Sequence, residues 1–154
     1  MKQIMILLFF ATVSIAETQA QDSAKTMKST LDAKRYSFVP TSMTPSGGRT
    51  RQITGGFAFD VKGDTLQVYL PYIGKAYSAP MNPSDAGYDF TSTSYDYTVK
   101  EGKKDKYNVT IKTNDKSVNA TFYFTVFDNG TATLQANSND KQSISYHGYI
   151  QAKK

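Results

Sequence analysis

Cysteine and tryptophan are absent from this chain, histidine occurs once, and the only glutamates are Glu17 and Glu101. Each absence removes a class of function. Without cysteine there is no disulfide framework, no thiolate nucleophile and no site for lipid attachment behind a leader segment. The single histidine, His147, excludes two-histidine zinc motifs. A glycoside hydrolase needs two facing carboxylates, and with Glu17 in the expected leader and Glu101 in a charged stretch only aspartates are left to supply them. No glycine-rich phosphate loop occurs. No serine or threonine sits in a recognisable nucleophile motif with a base and an orienting acid. The expectation is a protein that is not an enzyme and takes no cofactor.

What is present begins with a targeting segment. Lys2 precedes an apolar run from Ile4 to Ile15, broken only by Thr12 and Ser14. Thr18-Gln19-Ala20 then places small residues at the −3 and −1 positions of a signal-peptidase site. A cut after Ala20 makes Gln21 the first mature residue, with Ser14-Ile15-Ala16 as an earlier site. The run falls short of the roughly 20 apolar residues that span a bilayer. Residues 1–20 are therefore expected to be cleaved, leaving a periplasmic or secreted protein without a transmembrane segment or lipid anchor. Cleavage removes one lysine and one glutamate, so the net charge stays at +5. The cations are scattered apart from Arg49 with Arg51 and the stretch 100–106, a mixed-charge run that reads as a solvated hairpin tip. No nucleic-acid partner is expected.

Residues 21–34 form the only helical pattern, with Ala24, Met27 and Leu31 on one narrow stripe and Asp22 or Ser23 as cap. So short a helix must dock on the rest of the chain. From Arg35 to the C-terminus, apolar residues alternate with period two in nine stretches. They start at Tyr36, Ile53, Leu66, Tyr88, Tyr95, Tyr107, Val118, Ala132 and Ile144. Matching the apolar faces sets the turns. Gly63-Asp64 makes a two-residue hairpin that pairs Val61 with Leu66, Phe59 with Val68 and Phe57 with Leu70. Asn114-Asp115 would pair Ile111 with Val118 and Val109 with Ala120. At Asp128-Asn129-Gly130, a three-residue loop with left-handed Gly130 pairs Phe124 with Leu134, whereas a two-residue turn would oppose Phe124 and Gln135. A fourth hairpin pairs Phe90 with Tyr95 and Tyr88 with Tyr97. A meander of this kind with one buried face must close on itself. The fold class is all-β: an antiparallel up-and-down meander in residues 35–154, closing into a small lipocalin-like barrel or half-barrel with the helix across one end or side. A two-sheet sandwich is the alternative.

Four stretches carry a resemblance: Gly47-Gly48-Arg49-Thr50-Arg51, the run from Tyr69-Leu70-Pro71-Tyr72 to Tyr77-Ser78-Ala79-Pro80, Asn129 to Leu134, and Gln142 to Gly148. The sequence resembles an exported bacterial family of domains of unknown function, the one numbered 4251, over most of residues 27–150. The resemblance implies a signal peptide and a lipocalin-like β architecture, and it implies no activity. Many members look lipid-anchored, and the missing cysteine departs from that pattern.

Two surfaces could carry function. The aperiodic segment 73–87 is long for a compact domain and holds Lys75, Tyr77 and Met81 beside Tyr72. It is expected to cross the barrel mouth, with Tyr72 or Tyr77 turned inward and Lys75 at the rim. A small amphipathic molecule or a glycan would bind there. On the outer face, parity aligns Phe127, Thr131 and Tyr149, a patch through which a structural or assembly protein would bind another envelope protein. His147 should be exposed. The fourth hairpin would also oppose Asp89 and Asp96, which calls for a basic side chain between them or a hard cation such as calcium.

Overall fold

The computed structural model describes residues 26–75, 77, 87–115 and 118–153. Its strands are β1 (Arg35–Pro45), β2 (Arg51–Gln52), β3 (Ala58–Lys62), β4 (Thr65–Leu70), β5 (Tyr88–Ser92), β6 (Tyr95–Glu101), β7 (Lys106–Thr113), β8 (Ala120–Phe127), β9 (Thr131–Ser138) and β10 (Ile144–Ala152). The sheet runs β5-β4-β3-β1-β10-β9-β8-β7-β6, and β2 pairs with the upper part of β1. Every ladder among the described residues is antiparallel. Buried and exposed residues alternate strictly along β4, β7 and β8, as a one-sided sheet requires.

The closure follows from two features of that order. First, β1 and β10 pair from Tyr36 with Ala152 to Pro45 with Ile144, so the first and last long strands meet. Second, the two ends of the sheet are β5 and β6, which are separated only by Thr93 and Ser94 and run in the same direction. Residues 88–101 are thus one kinked stave. Its first part pairs with β4 (Val68 with Phe90) and its second with β7 (Tyr97 with Ile111). Counted in this way, the staves follow one another in chain order around a nearly closed up-and-down barrel.

This corrects the fourth expected hairpin. Phe90 does not pair with Tyr95, and Tyr88 does not pair with Tyr97. Thr91-Ser92-Thr93-Ser94 contains none of Gly, Pro, Asn or Asp, the stronger turn formers, and Ser and Thr turn the chain only weakly. The buried Ser92 hydroxyl instead accepts from Ser94 N (3.2 Å) and donates to Ser94 O (3.1 Å), fixing a kink while the chain stays extended. A second correction falls at 114–119. Ile111 pairs with Phe122 and Val109 with Phe124, four residues away from the expected register but on the same face. The connection is longer than a two-residue turn, and the buried Thr113 hydroxyl bridges its base by accepting from Ala120 N at 3.0 Å. Phe57 also departs from expectation. The ladder starts at Ala58, and the Phe57 ring stacks on outward-facing Tyr69 at 4.9 Å.

The other turns match the parity argument. Val61 faces Leu66 and Phe59 faces Val68. Val126 faces Ala132 and Phe124 faces Leu134, with Gly130 at φ 85° and its N–H bonded to Phe127 O at 2.9 Å. A Cβ at Gly130 would meet only Met27 Cε at 3.5 Å and Ile150 O at 3.8 Å, which is ordinary contact. The requirement is therefore backbone strain and not space. Gly130→Val is expected to cost at least about 1 kcal/mol in urea unfolding, and Gly130→Asn distinctly less, because asparagine tolerates the left-handed region.

Inside, rings from opposite sides of the barrel touch. Phe59 on β3 meets Phe122 and Phe124 on β8 edge-on at 4.9 and 5.0 Å, and Phe38 on β1 meets Phe124 at 5.5 Å. The helix, helical over residues 26–32, covers one end. Leu31 is fully buried, Met27 packs against the core, and Tyr97 Oη donates to Leu31 O at 2.8 Å. Tyr95 Oη reaches Gly63 O, so β6 side chains tie the helix and the β3–β4 turn together. Burial pushes the Tyr97 hydroxyl up to about 12, keeping it a neutral donor.

Outside, Asp60 on β3 joins three segments. It accepts from the buried Ser37 hydroxyl at 2.5 Å and from Lys153 Nζ at 2.7 Å, with Lys62 Nζ at 3.4 Å. Desolvation alone would raise its pKa, but the bonds from Lys153 and Ser37 and the two lysine charges together hold it below 3.8. A depressed carboxylate adds stability above its unfolded pKa and loses it as pH falls through the folded value. Asp60→Asn should therefore cost about 1 kcal/mol at pH 7. Its difference from the parent should shrink towards zero in unfolding curves taken at successively lower pH below 4.

Candidate functional site

The end opposite the helix is crossed by the chain that leaves β4. Tyr146, buried on β10, donates its hydroxyl to Pro71 O at 2.7 Å. Gln142 N bonds Lys75 O at 3.1 Å, and Tyr77 N bonds Asp140 O at 2.6 Å. Residues 71–75 and 77 thus reach from β4 to the β9–β10 connection, on the far side of the barrel, and lie over the mouth. Tyr72 is half-buried, edge-on to Tyr88 at 6.2 Å, with its hydroxyl on Lys75 O at 2.8 Å. Tyr77 is 68% exposed and Lys75 is exposed at the rim. Of the two tyrosines, Tyr72 packs toward the core and Tyr77 does not. Met81 lies outside the described residues.

Below this strap, Lys141 Nζ sits 5.3 Å from the centre of the Tyr88 ring and 3.0 Å from Asp140 Oδ2. Burial would raise the Asp140 carboxyl, but Ser138 and Lys141 outweigh it and hold the group below its usual range. Tyr88 is pushed up to about 12 by burial. These groups are spent on one another and on backbone carbonyls. The abundance of tyrosine that suggested a ligand-binding mouth is in large part a set of latches: Tyr36, Tyr95 and Tyr97 at the helix end, and Tyr72, Tyr88 and Tyr146 at the mouth.

The outer face of β8, β9 and β10 is different in kind. Each strand turns four residues outward, from Thr121 to Phe127, from Thr131 to Asn137 and from Ser145 to Gln151, and none of them is Asp, Glu, Lys or Arg. Three rows cross the strands. Tyr123, Gln135 and Ser145 make the first, Thr125, Thr133 and His147 the second. The third runs from Phe127 across the turn to Thr131 and on to Tyr149. The expected alignment of Phe127, Thr131 and Tyr149 is present, with Phe127 39% and Tyr149 44% exposed. Tyr123, 46% exposed, extends that patch and was missed by sequence reasoning. The signal was available: between Val118 and Ser138 the only charged residue is Asp128. His147 is exposed, as expected, and its Nδ1 lies 3.3 Å from Thr133 Oγ1.

Asp89 and Asp96 are not brought together. Asp89 faces Tyr69 across β4–β5, and Asp96 faces Lys112 across β6–β7. The opposition depended on a hairpin that the continuous stave replaces. Among the described residues there is no group of three or more His, Asp or Glu placed to hold a metal ion. No helix among them is long and apolar enough to cross a membrane.

The architecture is therefore that of an all-β protein, a nearly closed antiparallel barrel stoppered by a helix at one end and a strap at the other. The chain belongs to the DUF4251 family, a domain of unknown function whose model matches residues 18–150. Among solved structures it is similar to a DUF4251 family protein from Bacteroides eggerthii DSM 20697. The TM-score is 0.62 at 15% identity, covering 85% of this chain and 88% of that one, a likeness of fold. No curated protein matches it.

Proposed function

We propose that this is an exported, non-enzymatic binding protein of the cell envelope that works through the outside of its barrel, taking its partner on the β8–β9–β10 face. The observation that carries this reading is the absence of formal charge from all twelve outward positions of those strands, among which Tyr123, Phe127 and Tyr149 stay exposed. Depletion of charge around exposed aromatic rings distinguishes the centre of an interface from ordinary protein surface. The +5 net charge of the chain is carried elsewhere. Ring contacts across the interior favour an external site over a ligand held inside the barrel. A second reading keeps the ligand at the mouth, and the exposure of Tyr77 beside Lys75 favours it.

Co-sedimentation with isolated cell envelopes separates the two. Thr133→Asp combined with Tyr149→Asp should lower binding at least about tenfold, because a contact surface that excludes water cannot solvate an unpaired charge. Tyr77→Ala should bind as the parent does, and should cost no more than about 0.5 kcal/mol of stability at so exposed a position. The opposite pattern moves the site to the mouth, and an unchanged double variant overturns the outer-face reading.

A further inference from the structure

We infer that the partner of the β8–β9–β10 face is a neutral glycan chain, an inference that rests on the outer-face reading above. Nine of the twelve outward side chains on these strands are Thr, Ser, Asn, Gln or His, and the other three are the aromatic Tyr123, Phe127 and Tyr149. Leu, Ile, Val and Met are absent from the twelve. Serine and threonine, five of the twelve here, are under-represented where protein partners bind tightly, and a nucleic acid, anionic lipid or acidic glycan would require lysine or arginine. Sugar hydroxyls both donate and accept, and so do the Thr, Ser, Asn and Gln groups, whereas an ammonium only donates and a carboxylate only accepts.

The layout supports the same chemistry. Tyr123 and Phe127 are four residues apart on one face of β8, about 13 Å at strand geometry. Tyr149 lies two strands from Phe127 in the same row, about 10 Å away. The three rings mark corners of a patch whose middle row is Thr125, Thr133 and His147. Apolar C–H faces of successive sugars can lie on the rings while their hydroxyls reach the row between. Threonine is stiff at χ1, and Tyr and Phe have two rotors each, so little side-chain freedom is lost on binding.

The test uses the full mature chain and envelopes of the same species, treated either with periodate, which cleaves sugar diols, or with proteinase K. Binding should fall at least tenfold after periodate and survive the protease. The neutral polysaccharide released from those envelopes, collected as the flow-through of an anion-exchange column, should bind in calorimetry. Raising salt from about 0.05 to 0.5 M should leave the affinity within twofold, since no ion pair is screened. Thr133→Asp and Tyr149→Ala should each weaken that binding about tenfold, and Thr91→Ala, on the far side of the barrel, should not. Binding that survives periodate and is lost to protease, yet still depends on the face, overturns the glycan inference and leaves the outer-face reading standing. If the face variants bind as the parent does, both fall.

Discussion

Phe122→Ala is expected to destabilise the domain by about 4 kcal/mol, the usual cost of truncating a fully buried ring. Phe122 is fully buried on β8 and sits at the centre of the ring network. It meets Phe59 at 4.9 Å, Tyr88 at 5.7 Å and Phe90 at 6.2 Å. These neighbours are held on β3 and β5, so the barrel wall cannot collapse into the space left behind. Small domains have a total stability of about 5–15 kcal/mol, so the urea midpoint should drop by roughly 2 M. The adjacent Tyr123 points outward, and Tyr123→Ala should cost under about 1 kcal/mol. A loss at Phe122 of less than about 2 kcal/mol would mean that the rings do not span a packed interior. It would return the ligand question to the inside of the barrel.

Gly148→Ala should be nearly as damaging, through the backbone. Gly148 lies opposite Pro40 in the β1–β10 ladder, next to the register shift between Pro40 and Ser42. A Cβ there would stand 2.1 Å from Val39 O and 2.9 Å from Pro40 Cα, distances that no side-chain rotation relieves. The two strands would have to separate, and theirs is the pair that closes the barrel. A loss of about 3 kcal/mol, the upper part of the overpacking range, is expected in urea unfolding, with faster amide exchange along β1 and β10. Parent-like stability would show that the strands are not in such close approach. Because His147 and Tyr149 flank Gly148, this variant should lose partner binding and stability together. The site is better tested at Thr133.

The proposed site was legible only in part. Parity placed Phe127, Thr131 and Tyr149 in one row and exposed His147, because a two-residue period assigns faces without knowledge of neighbours. The row between Tyr123 and Phe127 needed the observed order β8-β9-β10, with Thr125, Thr133 and His147 in register. The sequence drew attention to Tyr72, Lys75 and Tyr77, but not to the contacts that tyrosines make at the mouth. Only contact shows that Tyr146 holds Pro71 and that Tyr72 rests on Tyr88. The Asp89–Asp96 pair failed because the sequence pattern of two short strands is the same whether the chain turns between them or runs on.

What the amino-acid order determined by itself is local and periodic: the alternating faces, the short docked helix, the two-residue turn at Gly63 and the bulged turn at Gly130. Each rests on interactions between residues near in sequence, or on a backbone conformation that one residue type tolerates. What only the tertiary structure decided is closure. Residues 88–101 serve as a single stave because β4 and β7 each offer it a free edge, and β1 meets β10 because a Gly–Pro crossing lets them approach. Both depend on pairing between segments far apart in the chain. The physical reason is that an unpaired strand edge leaves its polar backbone groups unsatisfied, and which distant edge satisfies them is not written in the alternation of side chains.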